Sequence, residues 1–366
     1  MVHVVQSRTP SEDQQAHVPG GAAQSVPEWL QLKLACPACK GRLNATTSGW
    51  SCRSCNQHYP LRHGIPDFRL APDPYISIDD ELAKIETLFS GPRKSFRALL
   101  SAYYELSPEN PPSLNRHYVG AMEAAVTRGR GVLRRHATLF PSCDKRALLD
   151  LGCGTAGLLA SAPEFFRHSV GADVALRWLL IGKERLRELG VEAPLLCANA
   201  ESLPFAEGAF DAVVADAVVE HVRDVRSLRD ETLRVLAPEG SFFFVTNNRY
   251  SILPEPHVRI PAFGLLPRAA MARVAWTVRK TPYHVRLMSL RELARVFHGV
   301  GKISLPWYAA GDLGQRNERL RRIWERASRW RFIRALLWPV VPQYFVSGSK
   351  AARFPETRPP FEASPG

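Results

Sequence analysis

No uninterrupted apolar run in this chain reaches the roughly 18–20 residues that a membrane-spanning helix needs. The longest candidate, FIRALLWPVVPQYFV, is broken by Arg334, Pro339 and Pro342. The opening residues, MVHVVQSRTPSEDQQAHVPGG, lack the basic start and apolar stretch of a secretory signal. Cysteine is sparse and odd in number: seven in 366 residues, which speaks against a disulfide framework and for a reducing compartment. No internal repeat is visible. Acid is short in one region only. From Arg259 to Arg353 there are 19 Lys+Arg against 4 Asp+Glu, a balance of +15, so the rest of a chain of net charge +13 sums to −2. The expectation is a cytoplasmic protein whose basic character belongs to its C-terminal part.

What is present fits a globular chain. The 45% hydrophobic and 23% charged content is ordinary, and 366 residues allow two or three units at roughly 100–200 residues each. Residues 1–27 are polar and rich in Pro, Gly and Gln, which predicts a disordered tail. Residues 28–70 hold four cysteines among short β-like runs. Residues 71–140 read as a helical linker or cap: IDDELAKIETLF and FRALLSAYYEL place apolar residues three and four apart, and a further helical pattern runs from Tyr118 to Phe140. From residue 141 to 350 short apolar runs (ALLDLG, HSVGADV, APLLCANA, DAVVAD, GSFFFVT) alternate with helical patterns, which predicts a parallel sheet covered by helices. KISLPWY and QYFVSGSKA read as two late strands, and 351–366 as a flexible tail.

LLDLGCGTAGLL (148–159) is an apolar strand, Gly-x-Gly and a helix-like run. Glycines there permit a tight turn and close approach of backbone to a ligand. Asp173 falls at the end of the second strand, where an acid can accept from ribose hydroxyls. Asn199 follows the third strand, Glu220 and His221 end the fourth, and LRVLAPEGSFFFVTNNR follows.

In order and spacing this series resembles the class I S-adenosylmethionine-dependent methyltransferases, in particular the set related to quinone-biosynthesis methyltransferases. The matching pieces run from residue 147 to about 249 and continue in HVRLMSLRELARVFHGVGKIS and PQYFVSGSKA. The resemblance implies an α/β fold: a Rossmann-like seven-stranded, mostly parallel sheet with helices on both faces. It implies S-adenosylmethionine as cofactor, its methionine part held by Asp150, Gly152, Gly154 and Thr155, its ribose by Asp173, and its adenine by the turn Asn199, Ala200 and Glu201. The family usually carries Asp where this chain has Asn199; an Asn carbonyl still accepts from an adenine amine. A nicotinamide cofactor would suit the glycine loop but not the LPF–FDAVV–EH–LRVLAPEG series.

Methyl transfer is an in-line displacement, and a hydroxyl acceptor also needs a base near its proton. His221 and His257 are the catalytic candidates, against the plain alternative of structural hydrogen bonding. Asn248, Arg249, Glu255 and His284 are the candidate acceptor-site residues, since NNRYSILPEPH follows the fifth strand and His284 opens YHVRLMS.

Cys36, Cys39, Cys52 and Cys55 form two Cys-x-x-Cys pairs twelve residues apart, a four-thiolate zinc pattern with no position left for water and therefore structural. CPACKGRL…WSCRSCNQHYPLRHGIPDF also resembles a small zinc-binding family that activates tRNA and release-factor methyltransferases, over residues 33–70. That implies a docking or stabilising module.

Insertions are expected at 255–283, with FGLLPRAAMARVAW as a lid, and at 312–340. Residues 316–338 make a basic, tryptophan-bearing amphipathic pattern, which suits either packing over the pocket or peripheral contact with the inner membrane surface. The first functional reading is transfer of a methyl group to oxygen, nitrogen or carbon of a small-molecule, glycan or lipid-linked acceptor. The alternatives are an RNA methyltransferase gripping nucleic acid with the ribbon and basic region, and a non-catalytic scaffold. The fourth strand lacks the Asn/Asp-Pro-Pro-aromatic pattern of exocyclic-amine methylation, and no Pro-Cys pair for C5 chemistry appears.

Overall fold

The computed structural model describes residues 25–107, 112–143, 145–304 and 341–351. The expectations for 1–24, for the whole 312–340 insertion including the amphipathic pattern at 316–338, and for the end of the chain from 352 fall outside them.

A one-turn helix α1 (Glu28–Gln31) leads into four short strands, β1 (Leu43–Ala45), β2 (Gly49–Cys52), β3 (His58–Arg62) and β4 (Ile65–Pro66), paired antiparallel in that order. The cap follows. Helices α2 (Ile78–Phe89) and α3 (Phe96–Glu105) each start on a serine whose hydroxyl accepts an N–H of the first turn, from Asp80 for Ser77 and Ala98 for Ser95. The pattern expected as one helix from Tyr118 is two, α4 (Pro112–Glu123) and α5 (Ala125–Leu139), divided at Ala124.

The main sheet is built from β5 (Ala147–Leu151), β6 (His168–Asp173), β7 (Leu195–Cys197), β8 (Phe210–Asp216), β9 (Leu236–Asn247), β10 (Lys302–Ser304) and β11 (Gln343–Ser349). Their order is β10-β11-β9-β8-β5-β6-β7. The pairs from β9 to β7 are parallel; β11 on β9 and β10 on β11 are antiparallel. This is the seven-stranded, mostly parallel sheet expected. Every residue of β5 is buried, as a central strand covered on both faces requires. Helices α6 (Leu176–Glu188), α7 (Val225–Val235), α8 (Arg268–Arg279) and α9 (Leu290–Val296) complete the described α-helices. One expectation fails. The run after the glycine loop is a short 3₁₀ segment, Leu159–Glu164, because Pro163 removes a backbone donor where an α-helix would need one.

The cysteine-bearing sheet is not a bead on a string. Its outgoing strand extends the main sheet past β7: Asp67 pairs parallel to Cys197, and the Phe68 N–H donates to the Cys197 carbonyl at 2.7 Å. On its other side Leu34 pairs antiparallel to Phe205. Leu30, Trp50, Tyr59 and Phe68 share one apolar core with Leu149, Val170, Leu196, Phe205 and Phe210. Three acids and two arginines then fasten the exit segment. Glu81 of α2, 0% exposed, receives Arg69 and Arg177 at 2.7 Å each, while Arg69 also binds Asp67 and Arg177 binds Asp73.

Among the described residues no helix is long and apolar enough to cross a membrane.

Candidate active site

A cavity of about 900 Å³ opens at the carboxyl ends of β5, β6, β7 and β8 and is roofed by the cap. Asp150, Gly152, Gly154, Thr155, Asp173, Asn199, Ala200 and Glu201 all line it. The turn after β5 explains its glycines. Gly152 sits at φ +71, and a Cβ there would lie 2.2 Å from Val218 Cγ2. Gly154 also has positive φ, and its N–H donates to Asp173 Oδ2 at 2.8 Å, while Asp173 Oδ1 accepts from Ala175. The acid thus ties the β5 turn to the start of α6. Loss of solvent pushes Asp173 up to about 6. Asp150, 2% exposed, has an Oδ2 with no hydrogen-bond partner, and burial followed by the charges of Asp216 and Asp173 raises it well above the usual carboxylate range. A buried carboxylate oxygen left open beside a cavity is suited to a cationic ligand group.

Asn199 is placed at the cavity, and its amide also holds the chain at Leu70 and Ala71. Oδ1 accepts from the N–H groups of Leu70 and Ala71, and Nδ2 donates to the Ala71 carbonyl. It clamps the chain leaving the cysteine module. Pro72, Asp73, Pro74, Tyr75 and Ile76, just downstream, form part of the cavity wall.

His221, His257 and His284 line the same cavity. His257 Nδ1 lies 2.5 Å from Glu255 Oε1, and its Nε2 lies 3.1 Å from His221 Nε2. His221 Nδ1 lies 3.0 Å from the Tyr75 hydroxyl. His284 packs edge-on against Tyr75 at 5.3 Å. Burial, with the neighbouring His257, holds His221 down to about 3. Burial pulls His257 down as well, but its bond to Glu255 and the charges of Glu255 and Glu220 outweigh this and raise it. Glu220 sits behind the cluster, accepting from Thr246 and Asn247 and so joining β8 to β9.

Asn248 and Arg249 are not brought to this cavity. They line a second one of about 210 Å³, with Glu255 on its wall. Asn248 is committed to the backbone, taking the Tyr250 N–H and donating to the Val341 carbonyl. Just past β9, Asn248 pairs parallel to Met288. Glu255 is joined to the main cavity through His257. Sequence reasoning missed Tyr75, a lone aromatic in a proline-rich linker with no local signal, and the aromatic wall of Tyr103, Tyr104, Tyr118 and Trp178. The helical period of α3 marked its tyrosines only as apolar.

The four cysteine sulfurs all lie within 4.8 Å of one another, with Cys36–Cys55 at 3.7 Å and Cys39–Cys52 at 3.4 Å. A tetrahedral zinc with Zn–S bonds of about 2.3 Å sets its sulfurs about 3.8 Å apart, so the set fits. Lys40 and Asn56, each one residue after a Cys-x-x-Cys pair, hold positive φ, as the two knuckle turns require.

Comparison with known families agrees with this geometry. Residues 149–244 match the family model described as a methyltransferase domain, and residues 34–64 match that of Trm112p-like proteins. The main-sheet region thus resembles a methyltransferase domain and the cysteine module a Trm112p-like protein. Among curated relatives, a ubiquinone biosynthesis O-methyltransferase of Brucella anthropi is 29% identical over 150 residues, 41% of this chain and 57% of that protein. A demethylmenaquinone methyltransferase of Thermus thermophilus is 35% identical over 143 residues, 38% of this chain and 61% of that protein. The chain thus spans about 57–61% of the length of these relatives. Among solved structures, a Haemonchus contortus phosphoethanolamine N-methyltransferase 2 in complex with S-adenosyl-L-methionine aligns at TM-score 0.41 and 16% identity, over 62% of this chain and 53% of that one.

Proposed function

We propose that the chain is an S-adenosylmethionine-dependent methyltransferase that methylates a hydroxyl of a small-molecule acceptor. The observation that carries the reading is the open Oδ2 of buried Asp150 beside Asp173 and the Gly152–Gly154 turn, on the wall of a cavity of about 900 Å³. Asp150 would take the cationic amino group of the cofactor and Asp173 its ribose hydroxyls. Bound there, the cofactor supplies an electrophilic methyl group. The chain's own work is to hold the acceptor in line, exclude water and accept a proton. Asn199 serves this site by fixing the 70–76 wall rather than by touching the ligand. The aromatic side of the cavity suits an apolar, planar acceptor, and both curated relatives are named for quinone biosynthesis or demethylmenaquinone. His221 and His257, both on the cavity wall, would supply the base for the acceptor hydroxyl, with Glu255 orienting the second.

Zinc on Cys36, Cys39, Cys52 and Cys55 would close a four-thiolate tetrahedron and act structurally. The RNA reading gains little from the ribbon, because Lys33 binds the Ala209 carbonyl and Lys40 pairs with Glu231, so both face the methyltransferase domain. Calorimetry with S-adenosylhomocysteine tests the proposal. Micromolar binding to the wild type and at least tenfold weaker binding to Asp173→Ala are expected; no binding to the wild type sinks it.

A further inference from the structure

Tyr75, His221, His257 and Glu255 make one hydrogen-bonded chain, with joints of 3.0, 3.1 and 2.5 Å that use both nitrogens of both imidazoles. Its polarity is set from the closed end. Glu255, 5% exposed, takes the N–H groups of His257 and Val258 on Oε2, leaving Oε1 as acceptor for His257 Nδ1–H. The Tyr118 hydroxyl fixes the His257 carbonyl. The open end is Tyr75, 41% exposed and on the cavity wall.

With Nδ1 of His257 committed to donating, the tautomers are coupled. When His257 is neutral its Nε2 accepts, so His221 carries its proton on Nε2 and accepts from Tyr75 on Nδ1. When His257 is charged its Nε2 donates, and His221 must carry its proton on Nδ1 and donate to the tyrosine oxygen. A proton entering at Tyr75 therefore arrives at His257 without charge ever resting on His221.

We propose that Tyr75, on the segment leaving the cysteine module, is the acceptor-side end of a proton relay running through His221 and His257 to Glu255. This rests on the methyltransferase reading above. In the transfer, the acceptor O–H bond breaks and its electron pair forms the bond to the methyl carbon of a sulfonium donor, whose C–S pair returns to sulfur. The released proton goes to the Tyr75 oxygen, the Tyr75 proton to His221 Nδ1, and the His221 Nε2 proton to His257 Nε2. The end state is a His257 imidazolium paired with the Glu255 carboxylate. The shifts of the two rings agree with those duties: His221, held low, conducts, and His257, raised beside Glu255, stores.

The other titratable or charged groups facing the chain are Glu220 near His257, Asp73 and His284 near Tyr75, and Tyr118 and His117 from α4. Tyr283 and Arg259 stand close to Glu255.

The test needs no acceptor. Full-length, zinc-loaded, cofactor-free protein labelled with ¹⁵N-histidine is titrated by long-range ¹H–¹⁵N spectroscopy. We expect neutral His221 to switch its proton from Nε2 to Nδ1 with the same midpoint at which His257 gains charge. Tyr75→Phe should move the His221 Nδ1 resonance toward that of a nitrogen without a partner. Glu255→Gln should lower the midpoint of both rings by more than one pH unit. A His221 that keeps one tautomer through the His257 titration overturns the relay, as does a Tyr75→Phe spectrum unchanged at Nδ1 or an unmoved midpoint in Glu255→Gln. Calorimetry with S-adenosylhomocysteine on the same wild-type sample separates the two ideas. Absent binding overturns the methyltransferase reading, whereas the tautomer switch is read independently of it.

Discussion

Asp173 uses its two oxygens in two directions, one on the Gly154 N–H and one on the Ala175 N–H. Both donors favour the carboxylate, yet burial outweighs them and the group sits at about 6. The raised value has a definite sign. In the cofactor-free protein the folded state binds this proton more tightly than the unfolded state, so the associated stability is present below about pH 4 and is lost as pH rises toward about 6. Ligand hydroxyls donating to Asp173, and a cationic amino group on Asp150, favour the ionised forms and so act in the opposite sense. S-adenosylhomocysteine affinity should therefore fall on acidification, by up to about tenfold per pH unit below pH 6. Calorimetry at pH 5 to 8 in two buffers of different ionisation enthalpy should show proton release on binding. An affinity flat across that range, with no proton released, would show that these carboxylates do not carry the ligand.

At the scale of elements, the sheet was legible and its connections were less so. β5, β6, β8 and β9 announce themselves as short apolar or β-branched runs, because strands buried on both faces have no polar positions to spare. The glycine turn, Asp150 and Asp173 were readable for the same local reason: strand ends and positive φ leave marks in sequence. The direction in which a loop leaves a strand leaves none. Asn248 and Arg249 follow β9 directly, but Asn248 pairs with Met288 and both residues line the second cavity. Nothing local shows either that Leu70 and Ala71, 129 and 128 residues away in sequence, donate to the Asn199 amide oxygen. Glu81 is a similar case, an ordinary helical acid by pattern that sits wholly buried between Arg69 and Arg177. It joins α2, α6 and the exit strand of the cysteine module. Breaking a buried ion pair by removing one partner typically costs about 3–5 kcal/mol. Glu81→Ala should lose about that much in urea unfolding, while Arg97→Ala, whose pair with Glu123 is largely exposed, should lose under about 1 kcal/mol. Equal, small losses in both would mean that the Glu81 network does not fasten the cap.

For the whole molecule, the question is whether the cysteine module and the methyltransferase domain are two folding units or one. The sequence drew a boundary at residue 70. The structure runs backbone hydrogen bonds across it at Phe68–Cys197, Ala35–Pro204 and Ala206–Lys33, and one apolar core spans both sides. An edge strand such as β7 is otherwise open to pairing with other chains, and here the module covers it. Metal binding by four thiolates is folding free energy for a module of this size. Zinc should therefore stabilise the methyltransferase sheet without touching it. Metal analysis of the purified chain should find one zinc. Thermal unfolding of the zinc-loaded chain should show a single cooperative transition, reported alike by the ribbon's Trp50 and by far-ultraviolet circular dichroism of the helices and main sheet. Chelation should lower that midpoint as a unit. Each kcal/mol of zinc stabilisation lost corresponds to about 2–4 °C in that midpoint. Cys36→Ser combined with Cys52→Ser should reproduce the shift without chelator, which excludes a direct effect of the chelator on the rest of the chain. If the far-ultraviolet transition stays in place while only the Trp50 signal melts early, the module is a separate unit and its edge pairing contributes nothing to the domain that carries the cavity.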